Sequence, residues 1–137
     1  MPETKHKLLV VDDDPAIRIP ISEYLTELGY QVRTAEHGLA GLAEIQKDAP
    51  GILLSDLNMP QMSGFELLSV VRRRFPAIQT IAMSATVFAE RIPAEVVADA
   101  FFQKGDHLPR LLHVIKTLRT SRRKPQRIAR NAGNPDR

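Results

Sequence analysis

Two short, mainly apolar segments of the sequence end in aspartate, and these aspartates are the residues best suited to chemistry. Leu8–Val11 is followed by Asp12 and Asp13, and Ile52–Ser55 is followed by Asp56. Continuous runs of Leu, Val and Ile are typical of strands buried on both faces of a parallel sheet. Because ligands of such sheets bind beyond the carboxyl ends of the strands, we expect the three aspartates at one edge.

Three neighbouring carboxylates cannot all stay ionised without a compensating cation. An all-oxygen ligand set is typical of a hard divalent cation such as Mg²⁺. Two further polar side chains are expected at the same edge, because Ser84 ends the fourth predicted strand and Lys104 follows the fifth. A metal site, a carboxylate nucleophile, a hydroxyl and an ammonium group are the parts that phosphoryl transfer to Asp56 needs.

Helix capping is the simpler explanation of acids at strand ends. It explains Asp14 well, since this residue precedes Pro15 at the first position of a predicted helix. Capping alone does not explain why Asp12, Asp13 and Asp56 have ordered polar partners on the other predicted strands. We therefore interpret these three aspartates as a functional cluster.

The rest of the sequence predicts the elements that position these residues. Strands and helices alternate with short connections, which indicates an α/β fold: a single domain with a doubly wound, five-stranded parallel sheet and helices on both faces. The predicted strands are residues 7–12, 30–34, 51–55, 80–83 and 100–103. The predicted helices begin at Pro15, at His37, after the capping box at Ser63, near Ala94 and after a capping Asp106.

Apolar residues at helical spacing predict which helix faces point inward. The predicted inward residues are Ile17, Ile21, Leu25, Leu28, Leu39, Leu42, Ala43, Ile45 or Gln46, Phe65, Leu68, Val71, Leu108, Leu111, Leu112, Ile115 and Leu118. Pro20 falls inside the first helix, where a mild kink is expected, and Gly29 is expected to end that helix. The basic run 72–74 is expected to face water.

Composition is that of an ordinary globular protein, with 43% hydrophobic and 26% charged residues in a chain of 137. The absence of cysteine excludes disulfides and thiolate metal sites, and it fits a reducing compartment. The longest aliphatic run has four residues, which is too short to span a membrane. We expect a cytoplasmic protein.

The net charge of +3 is unevenly distributed along the chain. Residues 117–137 hold seven of the 19 basic residues and one of the 16 acids, so this end carries +6 and the remainder −3. Residues 120–137 contain one large apolar side chain, Ile128, and are expected to form a disordered basic tail behind a folded domain at 1–119. The basic balance therefore belongs to the tail and does not indicate a nucleic-acid-binding fold.

Four groups of residues, in order, resemble a known family over about residues 7–118. They are residues 10–15, 55–64, 83–85 and 101–104. The sequence is similar there to the receiver (CheY-like) domain of bacterial response regulators. The Asp-x-x-Met-Pro-x-Met-x-Gly segment that begins at Asp56 is specific, and the ordered set of four groups strengthens the resemblance.

This resemblance implies a role for each aspartate. Asp56 would accept a phosphoryl group from the phosphohistidine of a histidine kinase. Asp12 and Asp13 would hold Mg²⁺, or Mn²⁺ in its place, together with Asp56 and the backbone carbonyl of Asn58. The protein would then be a phosphoacceptor that takes part in its own phosphorylation and dephosphorylation, and not an enzyme in the usual sense.

The resemblance also implies that Ser84 and Lys104 grip the phosphoryl oxygens and that Phe101 is the aromatic residue of a conformational switch. The sequence departs from the family after Lys104, where Gly105 replaces the usual cis-proline. A cis peptide without proline costs ~2.5–4 kcal/mol, so we predict a trans bond there, with Gly105 using its freedom in φ. The segment between Ser84 and Lys104 is also short, and Val97 stands at a position that is usually Gly.

Two function hypotheses follow. The first is a single-domain response regulator, monomeric or weakly dimeric, that receives its phosphoryl group from a sensor histidine kinase or phosphotransfer protein and signals through protein contact. The second is a receiver-regulated nucleic-acid-binding module that uses the basic tail; the acidic body and the lack of aromatic residues among the tail's basic ones disfavour it. A flavodoxin-like cofactor binder is disfavoured because no glycine-rich phosphate loop follows the first strand.

Deletion of residues 121–137 is expected to leave phosphorylation and the melting temperature nearly unchanged, because a polar tail adds little buried surface. If the tail binds nucleic acid, the full chain should instead bind duplex DNA with a steep salt dependence that the truncation loses. Thermal melts and DNA titrations at several salt concentrations, made on both forms, check this prediction. DNA binding by the full chain alone would contradict the first hypothesis.

Overall fold

The five predicted strands all form, and they pair into one parallel sheet. The computed structural model describes residues 6–59, 61–85 and 98–120. The strands are β1 (Lys7–Val11), β2 (Gln31–Ala35), β3 (Ile52–Asp56), β4 (Gln79–Ser84) and β5 (Ala100–Gln103). The helices of the described part are α1 (Pro15–Glu27), α2 (Gly38–Lys47), α3 (Gly64–Arg74) and α4 (Leu108–Thr120).

The sheet has the strand order β2-β1-β3-β4-β5, with every neighbouring pair parallel. The chain therefore moves outward from β1 to β2 and then returns to the other side of β1 to form β3. This reversal creates a crevice between the carboxyl ends of β1 and β3, the usual ligand site of such sheets. Val11 lies opposite Ser55 in the β1–β3 register, so Asp12 and Asp56 follow as neighbours at the crevice.

Both faces of the sheet are covered, which confirms the predicted α/β architecture. Leu9, Val11 and Leu53 point to the face that also holds the buried residues of α2 and α3. Leu8 and Val10 point to the opposite face, which holds the buried residues of α1 and α4. Each buried Leu, Val or Ile stabilises the fold by about 1.5–3 kcal/mol relative to an exposed side chain.

The helix termini carry most of the predicted capping signals. The Asp14 carboxylate accepts a hydrogen bond from the Ala16 N–H at 2.9 Å, so its capping role is confirmed. Ser63 and Glu66 form the predicted capping box at the start of α3. At the end of α1 the backbone turns at Gly29, with φ +101°, as the glycine stop predicts.

Several sequence predictions were wrong. Leu28 is 48% exposed, because α1 ends at Glu27 and Leu28 lies past its last turn. Leu39 is 51% exposed, because the inner side of α2 is formed by small residues and Ile45. Ala43 is also exposed, whereas Leu67, which the sequence pattern missed, is buried; of the two alternatives Ile45 and Gln46, Ile45 is the inward residue.

Three further predictions need correction at the level of single residues. The helix expected near Ala94–Asp99 falls mostly outside the described residues, and its two described members, Ala98 and Asp99, are not helical. Arg72 is only partly exposed, with Nη1 buried. Asp106 lies two residues before α4, where its carboxylate accepts from the His107 N–H at 2.8 Å.

Within the described residues we find no helix with the length and apolar character needed to cross a membrane.

Candidate phosphoacceptor and metal site

Three aspartates meet at the crevice between β1 and β3. Asp12 follows β1 and is fully buried, Asp56 ends β3 and is 1% exposed, and Asp13 is exposed. One carboxylate oxygen from each residue lies within 4.8 Å of the others. Two apolar strands thus deliver buried carboxylates to one point, a placement that is costly unless a cation neutralises them.

Lys104 supplies a positive charge to this cluster from the end of β5. Its Nζ lies 3.1 Å from Asp12 Oδ2 and 3.4 Å from Asp56 Oδ2, and the side chain is 13% exposed. Burial lowers the pKa of Lys104, but the close contact with the Asp12 carboxylate and the charge of Asp56 outweigh burial, so its pKa is raised. Lys104 is therefore a fixed cation between the two buried acids.

The surroundings of Asp56 disfavour its ionisation. Burial raises the pKa of Asp56, and the negative charge of Asp12 raises it further. The backbone N–H of Asn58, which donates to Asp56 Oδ1 at 3.2 Å, and the Lys104 ammonium lower this pKa without offsetting burial. A divalent cation beside Asp56 would favour the ionised form that a nucleophile needs.

The atoms of Asp12 fit a bound cation. Its Oδ1 accepts a hydrogen bond from the Asp14 N–H at 2.9 Å. Its Oδ2 is buried and has, among the described residues, the Lys104 ammonium as its ion-pair partner at 3.1 Å. Together with the exposed carboxylate of Asp13, this leaves oxygen ligands of the kind that Mg²⁺ prefers.

Ser84 and Asn58 face each other across the site. Ser84 ends β4 and is fully buried, and the Asn58 side-chain amide approaches its Oγ at 3.5 Å. The Ser84 carbonyl accepts the backbone N–H of Lys104 at 3.1 Å, and Gln103 Nε2 donates to the Ala85 carbonyl at 3.3 Å. These contacts join the ends of β4 and β5, so the serine and the lysine are held next to one another.

Two glycines shape the backbone around these residues. The Lys104–Gly105 peptide is trans and Gly105 has φ +91°, which confirms the prediction made for this joint. Gly64 packs so closely on Asp56 that a Cβ built on it would lie 1.9 Å from the Asp56 carbonyl oxygen. Only a glycine allows the start of α3 to lie this near the end of β3.

The site opens into a depression of about 500 Å³. It is lined by Asp13, Asp14, Pro15, Asp56, Asn58, Ala85 and Lys104. The depression is wide enough to admit a phosphoryl group together with part of the molecule that donates it. Phe101 lies to one side: it is half-buried, pairs with Ala82 in the β4–β5 register and packs against the core beneath α2 and α3.

Sequence reasoning missed one residue that contacts the cluster. Arg18, in α1, donates from Nη1 to the backbone carbonyl of Asp12 at 2.8 Å. A signal for it existed, because Arg18 lies on the same helical row as the inward residues Ile21 and Leu25. An arginine on an inward row is rarely buried without a partner.

Comparison with known proteins decides the family. The family described as the response regulator receiver domain matches residues 8–116. The chain belongs to this family. It is similar to the DNA-binding transcriptional regulator NtrC of Proteus hauseri, with 34% identity over 83% of this chain and 23% of that protein. It is also similar to the sensor histidine kinase RcsC of Salmonella typhimurium, with 39% identity over 61% of this chain and 9% of that protein.

The chain thus spans less than a quarter of the length of these two curated relatives. Solved structures match over nearly their full length. The chemotaxis response regulator CheY4 of Vibrio cholerae has a TM-score of 0.76 and 32% identity, over 82% of this chain and 97% of that one. The response regulator TrrA of Thermotoga maritima, in complex with Mg²⁺ and BeF, has a TM-score of 0.75 and 30% identity, over 82% of this chain and 97% of that one.

Proposed function

We propose that this receiver domain takes a phosphoryl group onto Asp56 from the phosphohistidine of a sensor histidine kinase or phosphotransfer protein. The proposal rests mainly on the cluster in which Asp56 lies beside two further carboxylates and the Lys104 ammonium. An oxygen of Asp56 attacks phosphorus, a new O–P bond forms as the P–N bond breaks, and the histidine nitrogen leaves with the electron pair.

Each group around Asp56 has a task in this proposal. Asp12, Asp13 and Asp56 would hold Mg²⁺ or Mn²⁺ together with the Asn58 carbonyl, and the bound cation would neutralise charge on the phosphoryl oxygens. Lys104 stays protonated, because its pKa is raised, and pairs with an oxygen of the bound phosphoryl group. The Ser84 hydroxyl donates to a second oxygen of that group.

The output of the domain is proposed to be protein contact. A single-domain response regulator of this kind works in the cytoplasm as a monomer or weak dimer, and phosphorylation changes its affinity for a downstream protein. Such a protein is a phosphoacceptor and not a turnover enzyme. The NtrC relative is a DNA-binding regulator, but this chain matches only 23% of it, so DNA binding is not carried over.

Phe101 is proposed to report the phosphorylation state weakly. It has no hydroxyl to bond with water when it points outward, and burying its ring gains about 1.5–3 kcal/mol. Its inward rotamer should therefore be well populated before phosphorylation, so phosphorylation should change the rotamer populations of Phe101 only slightly. Side-chain NMR with and without a phosphoryl mimic on Asp56 checks this prediction. A ring fully exposed without the mimic and buried with it would contradict the prediction.

Phosphorylation by a small phosphodonor such as acetyl phosphate is expected to need a divalent cation. Chelation of the cation should stop phosphorylation. Asp13→Asn should slow phosphorylation at least about tenfold at millimolar Mg²⁺, because mutation of a residue that only orients a metal ligand already lowers metal affinity or activity by about 10–100-fold. Asp48→Asn is the matched control, because Asp48 is an exposed carboxylate at the end of α2 and does not line the depression. Electrophoretic separation of the phosphorylated form gives the rates. Equal rates in chelator and in Mg²⁺ would contradict the proposed function.

A further inference from the structure

Arg18 makes one well-directed contact beneath the acid cluster. Its Nη1 donates to the Asp12 carbonyl oxygen at 2.8 Å, and its side chain is 13% exposed. A second contact, from Nη2 to Glu36 Oε2, is long at 3.9 Å and involves a side chain that is 75% exposed. Exposed pairs of this kind contribute little, so the Asp12 carbonyl is the main partner of a mostly buried guanidinium.

The carbonyl that Arg18 holds has a special position. It belongs to the peptide group that joins Asp12 to Asp13, the two residues that supply adjacent carboxylates to the cluster. The orientation of this peptide plane is set by ψ of Asp12 and φ of Asp13, the two backbone torsions that decide how the two side chains are directed relative to each other. A donor fixed on the carbonyl therefore restrains the relative orientation of the two acids.

The remaining polar atoms of Asp12 are restrained from other elements. Its N–H donates to the Ala35 carbonyl at 3.1 Å, at the end of β2, and its Oδ1 accepts from the Asp14 N–H at 2.9 Å. With Arg18 on the carbonyl, three of its four polar atoms are tied to the protein. The fourth, Oδ2, is buried and, in the described part of the chain, is held by its ion pair with Lys104 Nζ at 3.1 Å.

We propose that Arg18 is a positioning residue for the divalent cation: it fixes the Asp12–Asp13 peptide so that both carboxylates present their oxygens together. This inference rests on the proposed function, which places the cation at Asp12, Asp13 and Asp56. Mg²⁺ is sensitive to such restraint, because it requires nearly ideal octahedral geometry. Residues that orient metal ligands without touching the metal commonly change affinity by about 10–100-fold when removed.

The structure offers a matched control in Arg33. Its guanidinium donates from Nη1 to the Glu44 carbonyl at 3.1 Å and to Glu44 Oε1 at 2.7 Å, and it also donates to the Asp48 carbonyl. Arg33 thus makes the same kind of bond at the end of α2, away from the acid cluster. Arg33→Ala removes a comparable structural restraint and leaves the cation site intact.

The test is a titration of the full chain with MgCl₂ in the absence of phosphodonor, followed by NMR of the backbone amides of residues 12–14 and 56–58. Arg18→Ala is expected to raise the Mg²⁺ dissociation constant about tenfold or more. Arg18→Lys, which retains one donor and the charge, should lie between Arg18→Ala and the wild type. Arg33→Ala should leave the constant unchanged while lowering the melting temperature. If Arg18→Ala does not fold, Arg18→Gln replaces it, and its Mg²⁺ dissociation constant should also be higher than that of the wild type.

A second readout separates positioning from a general loss of structure. Because Arg18 acts through the cation site, the phosphorylation rate of Arg18→Ala should recover toward the wild-type rate at saturating Mg²⁺. An unchanged dissociation constant in Arg18→Ala, or an equal rise in Arg33→Ala, would overturn the inference while wild-type phosphorylation stands. Wild-type protein that binds Mg²⁺ but takes no label on Asp56 would instead contradict the proposed function.

Discussion

Asp56→Asn is expected to abolish phosphorylation by acetyl phosphate, because the amide that replaces the carboxylate is neither anionic nor nucleophilic toward phosphorus. The substitution preserves the size and shape of the side chain, so the fold should persist. Electrophoretic separation of the phosphorylated form, in Mg²⁺ and in chelator, measures the loss. Asp48→Asn, at an exposed position at the end of α2, is the control and should be phosphorylated at the wild-type rate.

The same variant is expected to be more stable than the wild type when no divalent cation is present. The raised pKa of Asp56 means that the folded state binds its proton more tightly than the unfolded state does, so the ionised carboxylate destabilises the fold at neutral pH. The advantage of Asp56→Asn should shrink as the pH falls through this raised pKa toward 3.8, the ordinary value. Urea unfolding at several pH values checks this, and a less stable variant at pH 7 in chelator would contradict it.

Gly64→Ala is expected to cost about 3 kcal/mol of unfolding free energy, the upper end of the usual range for overpacking. The added Cβ would lie 1.9 Å from the Asp56 carbonyl oxygen and 2.6 Å from Leu57 Cα, and backbone atoms cannot turn aside as side chains do. Because the displaced backbone carries Asp56, the phosphorylation rate should fall as well. Urea unfolding and phosphodonor labelling of the same preparation give both values.

Gly41→Ala provides a graded comparison. Its Cβ would meet Val11 Cγ2 at 2.9 Å, which is the tip of a side chain, and alanine favours a helix over glycine by about 1 kcal/mol. The loss of unfolding free energy should therefore be smaller than that of Gly64→Ala, because a side chain must shift and the backbone of Asp56 need not. A Gly64→Ala protein as stable and as readily labelled as Gly41→Ala would show that the close approach at Asp56 is not needed.

The two central strands were predictable because they are short, mainly apolar runs: β1 is followed by Asp12, and β3 lies after Gly51 and ends at Asp56. The runs at 8–11 and 52–54 have few alternative placements in a domain of this size, and the order of the elements allows few topologies. The meeting of Asp12, Asp13 and Asp56 follows from that topology, since each residue comes directly after or at the end of a central strand. The composition of this edge could thus be inferred before the structure was known.

Contacts made through backbone atoms could not be predicted from the sequence. Leu39 was expected inward because it is apolar, but Gly38 and Gly41 take the inner side of α2, where backbone lies close to Met62 and Val11. The spacing of apolar residues predicts which side chains point inward, but it does not predict where two backbone segments pack closely. Arg18 was missed for a related reason, because its partner is a carbonyl group that every residue possesses.

Borohydride trapping identifies the phosphorylated residue, because it reduces an aspartyl phosphate to homoserine and so marks the residue that carried the phosphoryl group. The full chain would be phosphorylated in Mg²⁺, reduced, digested and analysed by peptide mass spectrometry. Homoserine is expected at position 56 alone, and none is expected when chelator is present. Homoserine at Asp12, Asp13 or another aspartate, with Asp56 unmodified, would contradict the assignment of Asp56 as the phosphoacceptor.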